Sequence, residues 1–252
     1  MTDAQARRPL ARVEVDGGLE DAIEWLYRDG VTDGLPVIPP TEERVAAMVA
    51  GSGRAATELL GAIPPLFADL TVEKVAVVAV MAGCEPHVMP AVLAALEAMF
   101  APQFMLGSIQ MTTSPATPLL VFNGPVRHAL GIECGTGCFG PGARANATIG
   151  RAVRLAMTAI GGARPGDGDP APLGWPAKFT ACLAENEEAS PWPGLHVDRG
   201  LPTDRSTVTV FAISGAWPIS ESNPDPHMVL HQLTHGMALT GSMAAPAAPD
   251  AM

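Results

Sequence analysis

Residues 133–152 read ECGTGCFGPGARANATIGRA, with two cysteines, four glycines and an arginine just ahead of a helical pattern. A helix N-terminus has unpaired N–H groups and a partial positive charge, so it attracts anions. Glycines let the backbone close on a ligand without a Cβ in the way. On this reading Gly137, Gly140 and Gly142 shape an anion cradle over 135–146. Arg144 offers a planar fork for carboxylate or phosphate, and Asn146 caps the helix or touches the ligand. The competing reading is a tight turn at Gly140, Pro141 and Gly142 with nothing bound. The spacing matches neither a Walker loop nor a dinucleotide fingerprint, which disfavours phosphoryl transfer. Cys134 and Cys138 have three residues between them, so they are not a CxxC pair. In a loop they could still reach the ~5.5 Å Cα separation of a disulfide, or serve as small buried thiols.

A second candidate is the turn VMAGCEPH. Cys84 stands just before a helix opened by Pro86. The helix dipole there would lower the thiol pKa and raise its thiolate fraction. His87, three residues on, could exchange a proton with it. The alternative is a small buried hydrophobe. Farther on, CLAENEEASPWPGLHVDRG carries Glu185, Glu187 and Glu188, three carboxylates within four residues. Such a run is normally solvated surface. Trp192 and two prolines follow at once and suggest tight packing, and Glu185 turned inward against an apolar wall would act as general acid or base. His196 could line the same cleft. Finally, HMVLHQLTH places His227, His231 and His235 four residues apart. Two such imidazoles on one helix face, His227 with His231, could share a divalent metal. The third stands ~12 Å along the axis from the first. No HExxH glutamate accompanies them, and an exposed polar stripe is the alternative.

These residues need a scaffold, and the composition supplies one. Of 252 residues, 48% are hydrophobic and 16% charged, enough apolar material for a sizeable core. Aromatics are only 5%, so that core rests on Ala, Val, Leu and Met. A net charge of −11 argues against nucleic acid and against anionic membrane surfaces. The longest apolar run, VAVVAVMAG at 75–83, is less than half of a ~20-residue span. The N-terminal residues lack the apolar stretch of a secretory signal. A cytoplasmic protein with reduced thiols is therefore expected.

Residues 1–14 read as a flexible arm, 15–242 as one globular domain and 243–252 as a disordered tail. Helices are expected over 18–30, from the Thr41 cap through 53, over 71–83, after Pro86, over 146–162 and over the terminal histidine segment. The β-branched centre of 71–83 leaves a strand as its alternative. Residues 117–125 and 206–214 read as strands. The result is an α/β or α+β single mixed domain with several helices packed on a central sheet, and element order alone does not choose between the two.

The runs TDGLPVIPPTEERV, VMAGCEPH, GPGARANATIGRA and AENEEASPW resemble a bacterial family whose members are companions of small (seleno)proteins with a UGSC-type motif. The resemblance spans about 31–212. It implies a partner subunit and thiol or selenol chemistry, and brings no established catalytic residues. Cys134 and Cys138 depart from the family pattern.

The residues together suggest an enzyme, or a substrate-binding enzyme subunit, acting on a small anionic substrate by cysteine-dependent redox, addition or elimination chemistry. That describes an oxidoreductase or lyase with Cys84, His87 and Glu185 as catalytic groups. It requires Cys84 and Arg144 to face a shared pocket. The alternatives are a metal-assisted hydrolase or lyase on the histidine helix, and a non-catalytic subunit of a heteromeric complex or homo-oligomer.

Overall fold

The computed structural model describes residues 10–238. Most of the expected arm and all of the expected tail lie outside the described residues. The fold is the expected mixed one, helices on a small central sheet, and the sheet's mixture of directions makes it α+β.

Helix α1 (Leu19–Arg28) is followed by α2 (Glu42–Ser52), whose cap is Thr41: its hydroxyl accepts from the Arg44 N–H. A short hairpin, β1 (Leu59–Ile63) and β2 (Ala68–Thr71), comes next and turns through a cis Pro64–Pro65 bond. The sequence reading missed it, because its strands are short and rich in Gly and Ala. Helix α3 (Val72–Ala82) resolves the ambiguity at 71–83. Thr71 caps it through the Lys74 N–H, and Gly83, at φ 90°, ends it. The Gly83 and Cys84 N–H groups return to the Val80 and Ala79 carbonyls, satisfying the last turn. Eight of its eleven residues are buried, so it is the central helix rather than an amphipathic surface one.

A turn at Pro86–Val88 leads into α4 (Met89–Met99), so Pro90 falls in the first turn, where a missing N–H is harmless. After α5 (Leu106–Gln110) come β3 (Thr117–Asn123), α6 (Val126–Ala129) and α7 (Arg144–Leu155). Helix α7 begins two residues before the expected start, and its last turn widens at Ala156–Ile160. Two-residue bridges β4 (Arg164–Pro165) and β5 (Gly168–Asp169) precede β6 (Cys182–Ala184), α8 (Leu195–Asp198) and β7 (Thr207–Ile213).

The central sheet runs β6-β3-β7, with β3 parallel to β6 and antiparallel to β7. Leu120 and Phe122 of β3 are buried with Val75, Leu96, Ile149 and Val153 of the helical layer. Helix α7 lies so close to the sheet that a Cβ on Gly150 would run into the Thr180 hydroxyl and crowd the Ala181 backbone, which explains glycine there. Arg151 pins the segment before α2 onto α7, with a forked pair to Asp33 at 2.7 and 2.8 Å.

The compact unit ends at Ile213, and Ser214 onward forms a second. The second unit carries α9 (Pro226–Met237), capped by the Asp225 side chain and without a buried residue. No single helix among the described residues is long and apolar enough to cross a membrane.

Candidate functional site

Cys84 and Arg144 are neighbours. Arg144 Nη2 donates to the Gly83 carbonyl at 3.2 Å, and the Cys84 thiol donates to the Thr148 carbonyl at 3.3 Å. Beside them opens a cleft of about 130 Å³ lined by Glu85, His87, Val88, Leu130, Gly131, Arg144, Ala145 and Thr148. That is below the ~300–1,000 Å³ of ordinary small-molecule pockets, so only a compact ligand fits. A second hollow of about 210 Å³, beside Tyr27 and Pro36, has a more apolar wall and less chemistry.

The expectation for the Cys84 thiol is corrected. It stands just before the helical turn opened by Pro86, as expected, but it also closes the C-terminal turn of α3, where the dipole disfavours a thiolate. It is also buried, and burial pushes its pKa up to about 11 against smaller opposing effects of the Thr148 hydrogen bond, Arg144 and Arg151. His87 is exposed on the cleft wall, and among the described residues it has no hydrogen bond to Cys84.

The glycine loop is also corrected in part. Gly137 and Gly142 have φ of 79° and 123°, and the Gly140 N–H closes a tight turn on the Gly137 carbonyl at 2.7 Å. Each of these glycines thus has a turn role, though the hydrogen-bonded turn runs from Gly137 to Gly140, ahead of the Gly140–Gly142 turn of the competing reading. Asn146 does not cap α7; Ala143 holds that position and provides no side-chain cap. Asn146 is buried and works as a staple. Its Oδ1 accepts from the Glu133 N–H at 2.8 Å, and its Nδ2 donates to the Glu133 and Cys138 carbonyls. Cys134 and Cys138 are free, half-buried thiols. Arg144 remains available at the surface, paired with Glu85 Oε1 at 3.0 Å.

The acidic segment packs inward, through its carboxylates rather than through Trp192, which is 76% exposed. Glu185 follows β6, and its Oε2 accepts from Asn123 Nδ2 and from the Leu195 N–H. Glu187 Oε1 accepts from Asn123 Nδ2 at 2.9 Å and the Gly124 N–H at 2.8 Å. Arg127, 5% exposed, forks onto Glu188 and also reaches Glu187 and the Gly124 and Glu185 carbonyls. This pairing holds the Glu188 carboxyl down at about 2. His196, expected in the substrate cleft, is buried in this nest, with Nδ1 3.9 Å from Glu187 Oε1. Asn123, Arg127 and Glu187 were missed as partners. The one available signal was three carboxylates needing a counter-charge, and Arg127 lies some 60 residues away in sequence.

On α9 the His231 and His235 rings meet edge to face at 4.1 Å, and His235 Nδ1 lies 3.1 Å from the His231 carbonyl. Among the described residues no group of three or more His, Cys, Asp or Glu converges on a metal position, on this helix or elsewhere. No protein-family model, curated protein or solved structure matches the chain.

Proposed function

We propose that the cleft beside α7 binds a compact anionic molecule and that the chain is an enzyme, or the substrate-binding subunit of one, working there. The observation that carries this reading is Arg144. Its guanidinium is exposed yet braced by Glu85 and the Gly83 carbonyl, at the start of a helix whose first-turn amides have no side-chain cap. Held in this way, it presents a fixed cation beside an exposed imidazole and a carboxylate. His87 can give or take a proton and Glu85 can exchange its partner, Arg144, for the ligand's charge. An addition or elimination on a small carboxylate, lyase-type chemistry, suits that set.

Thiol chemistry at Cys84 is a second reading. It is favoured by Arg144 and Arg151, which both act to lower the thiol pKa, and by the resemblance to companions of thiol and selenol proteins. Burial acts against it in the free chain, and a partner that uncovers Cys84 would be required.

The test is calorimetric titration of the purified chain with phosphate and a panel of two- to four-carbon carboxylates. Arg144→Gln should weaken binding of the best ligand about tenfold or more, the scale of a lost charged hydrogen bond. Equal binding by both proteins refutes the cleft as the anion site.

A further inference from the structure

The charges around the Arg144 cleft restrict which anion it can take. Among the described residues lining it, Arg144 is the one permanent cation and Glu85 the one carboxylate. Arg144 Nη1 pairs with Glu85 Oε1 at 3.0 Å, and Nη2 donates to the Gly83 carbonyl at 3.2 Å. Its Nε has no partner among the described residues. A guanidinium carries five N–H donors, so Arg144 can accept one further carboxylate with Glu85 still beside it. The Arg144 and Glu85 side chains are 61% and 48% exposed, so water weakens their charges without cancelling them.

The fixed charges of the cleft therefore sum to zero. A ligand's first negative charge is met by Arg144. A second one finds no cation among the lining residues, faces Glu85, and adds to a chain already at −11. The rest of the wall is largely apolar: Val88 and Ala145 are buried and Leu130 is half-buried. That surface suits carbon better than a second charged group.

We propose that the cleft selects a monoanionic short-chain carboxylic acid, and that Glu85 is the specificity-determining residue that rejects dianions such as dicarboxylates and phosphate. The carboxylate pairs with Arg144, and the carbon chain lies against Val88, Leu130 and Ala145. The proposal rests on the anion-binding reading of the same cleft. A residue that repels the wrong ligand sets specificity as well as one that attracts the right one. Coulomb energy scales with the ligand's charge, so removing the Glu85 charge strengthens a dianion by about the square of the factor it gives a monoanion.

The test is calorimetric titration of the full chain with acids matched in carbon number: propanoate against malonate, and butanoate against succinate. The buffer has low salt and pH 8, above the ordinary titration range of an imidazole. The monocarboxylate of each pair should bind at least tenfold more tightly, and Arg144→Gln should weaken it at least tenfold. Glu85→Gln changes an exposed side chain and should narrow the gap within each pair at least threefold, with the larger gain going to the dicarboxylate. A dicarboxylate that binds through Arg144 as tightly as its matched monocarboxylate, or equal gains for both in Glu85→Gln, overturns the selectivity and leaves the anion site standing. Absence of Arg144-dependent binding by any of the four acids refutes the anion site and the selectivity together.

Discussion

Thiol labelling tests the Cys84 geometry most directly. An increase to about 11 from the usual value for a thiol leaves about a hundredfold fewer thiolates at neutral pH, equivalent to about 3 kcal/mol against ionisation. Cys182 is raised further, chiefly by its complete burial and then by the neighbouring Cys84. Cys134 and Cys138 are half-buried and lie on an exposed loop. Iodoacetamide labelling at pH 7.5, resolved by peptide mass spectrometry, should therefore modify the loop thiols first and Cys84 and Cys182 at least tenfold more slowly. Linkage fixes the sign of the accompanying stability change. The unfolded thiol ionises first, so the folded chain holds more protons above the ordinary thiol value, and stability falls as pH rises from about 9 through about 11. Cys84→Ala should flatten part of that alkaline decline in urea melts. Labelling of Cys84 as fast as the loop thiols at pH 7.5 would refute the burial argument and restore the activated-thiol reading.

Arg127→Met leaves Glu187 and Glu188 without the guanidinium they share and the Gly124 and Glu185 carbonyls without a donor, and should cost about 1–3 kcal/mol in chemical denaturation; an unchanged midpoint contradicts that pairing. Asn146→Ala removes all three staple bonds and should speed proteolytic cleavage within 134–142 while costing about 1–3 kcal/mol. Unchanged cleavage would show the loop is held by other contacts.

The elements that could be read from the sequence were those whose signals are local. Thr41 and Thr71 announce their helices, and the hydrophobic patterns of β3 and β7 lie inside seven-residue windows. Pro86 marks the start of the helical segment that continues as α4, but the thiol's surroundings are determined by the end of α3 behind it, which the local pattern at Cys84 does not announce. Asn146 carries a residue type suited to capping, yet the Glu133 N–H, thirteen residues upstream, takes the side-chain oxygen that a cap would use. The nest was hidden for a different reason. Asn123 and Glu185 meet only because β3 and β6 align in parallel, a pairing that no local pattern encodes.

That alignment also explains why the cleft and the nest are near each other. Parallel strands bring their carboxyl ends to one edge of the sheet, where open α/β layers place their ligands. Asn123 ends β3 there and Glu185 follows β6. The Ala184 N–H reaches the Glu133 carbonyl, and Glu133 is held by Asn146 in the first turn of α7, two residues beyond Arg144. Helix α6 lies between the two, giving Arg127 to the nest, while Leu130 and Gly131 just after it line the cleft.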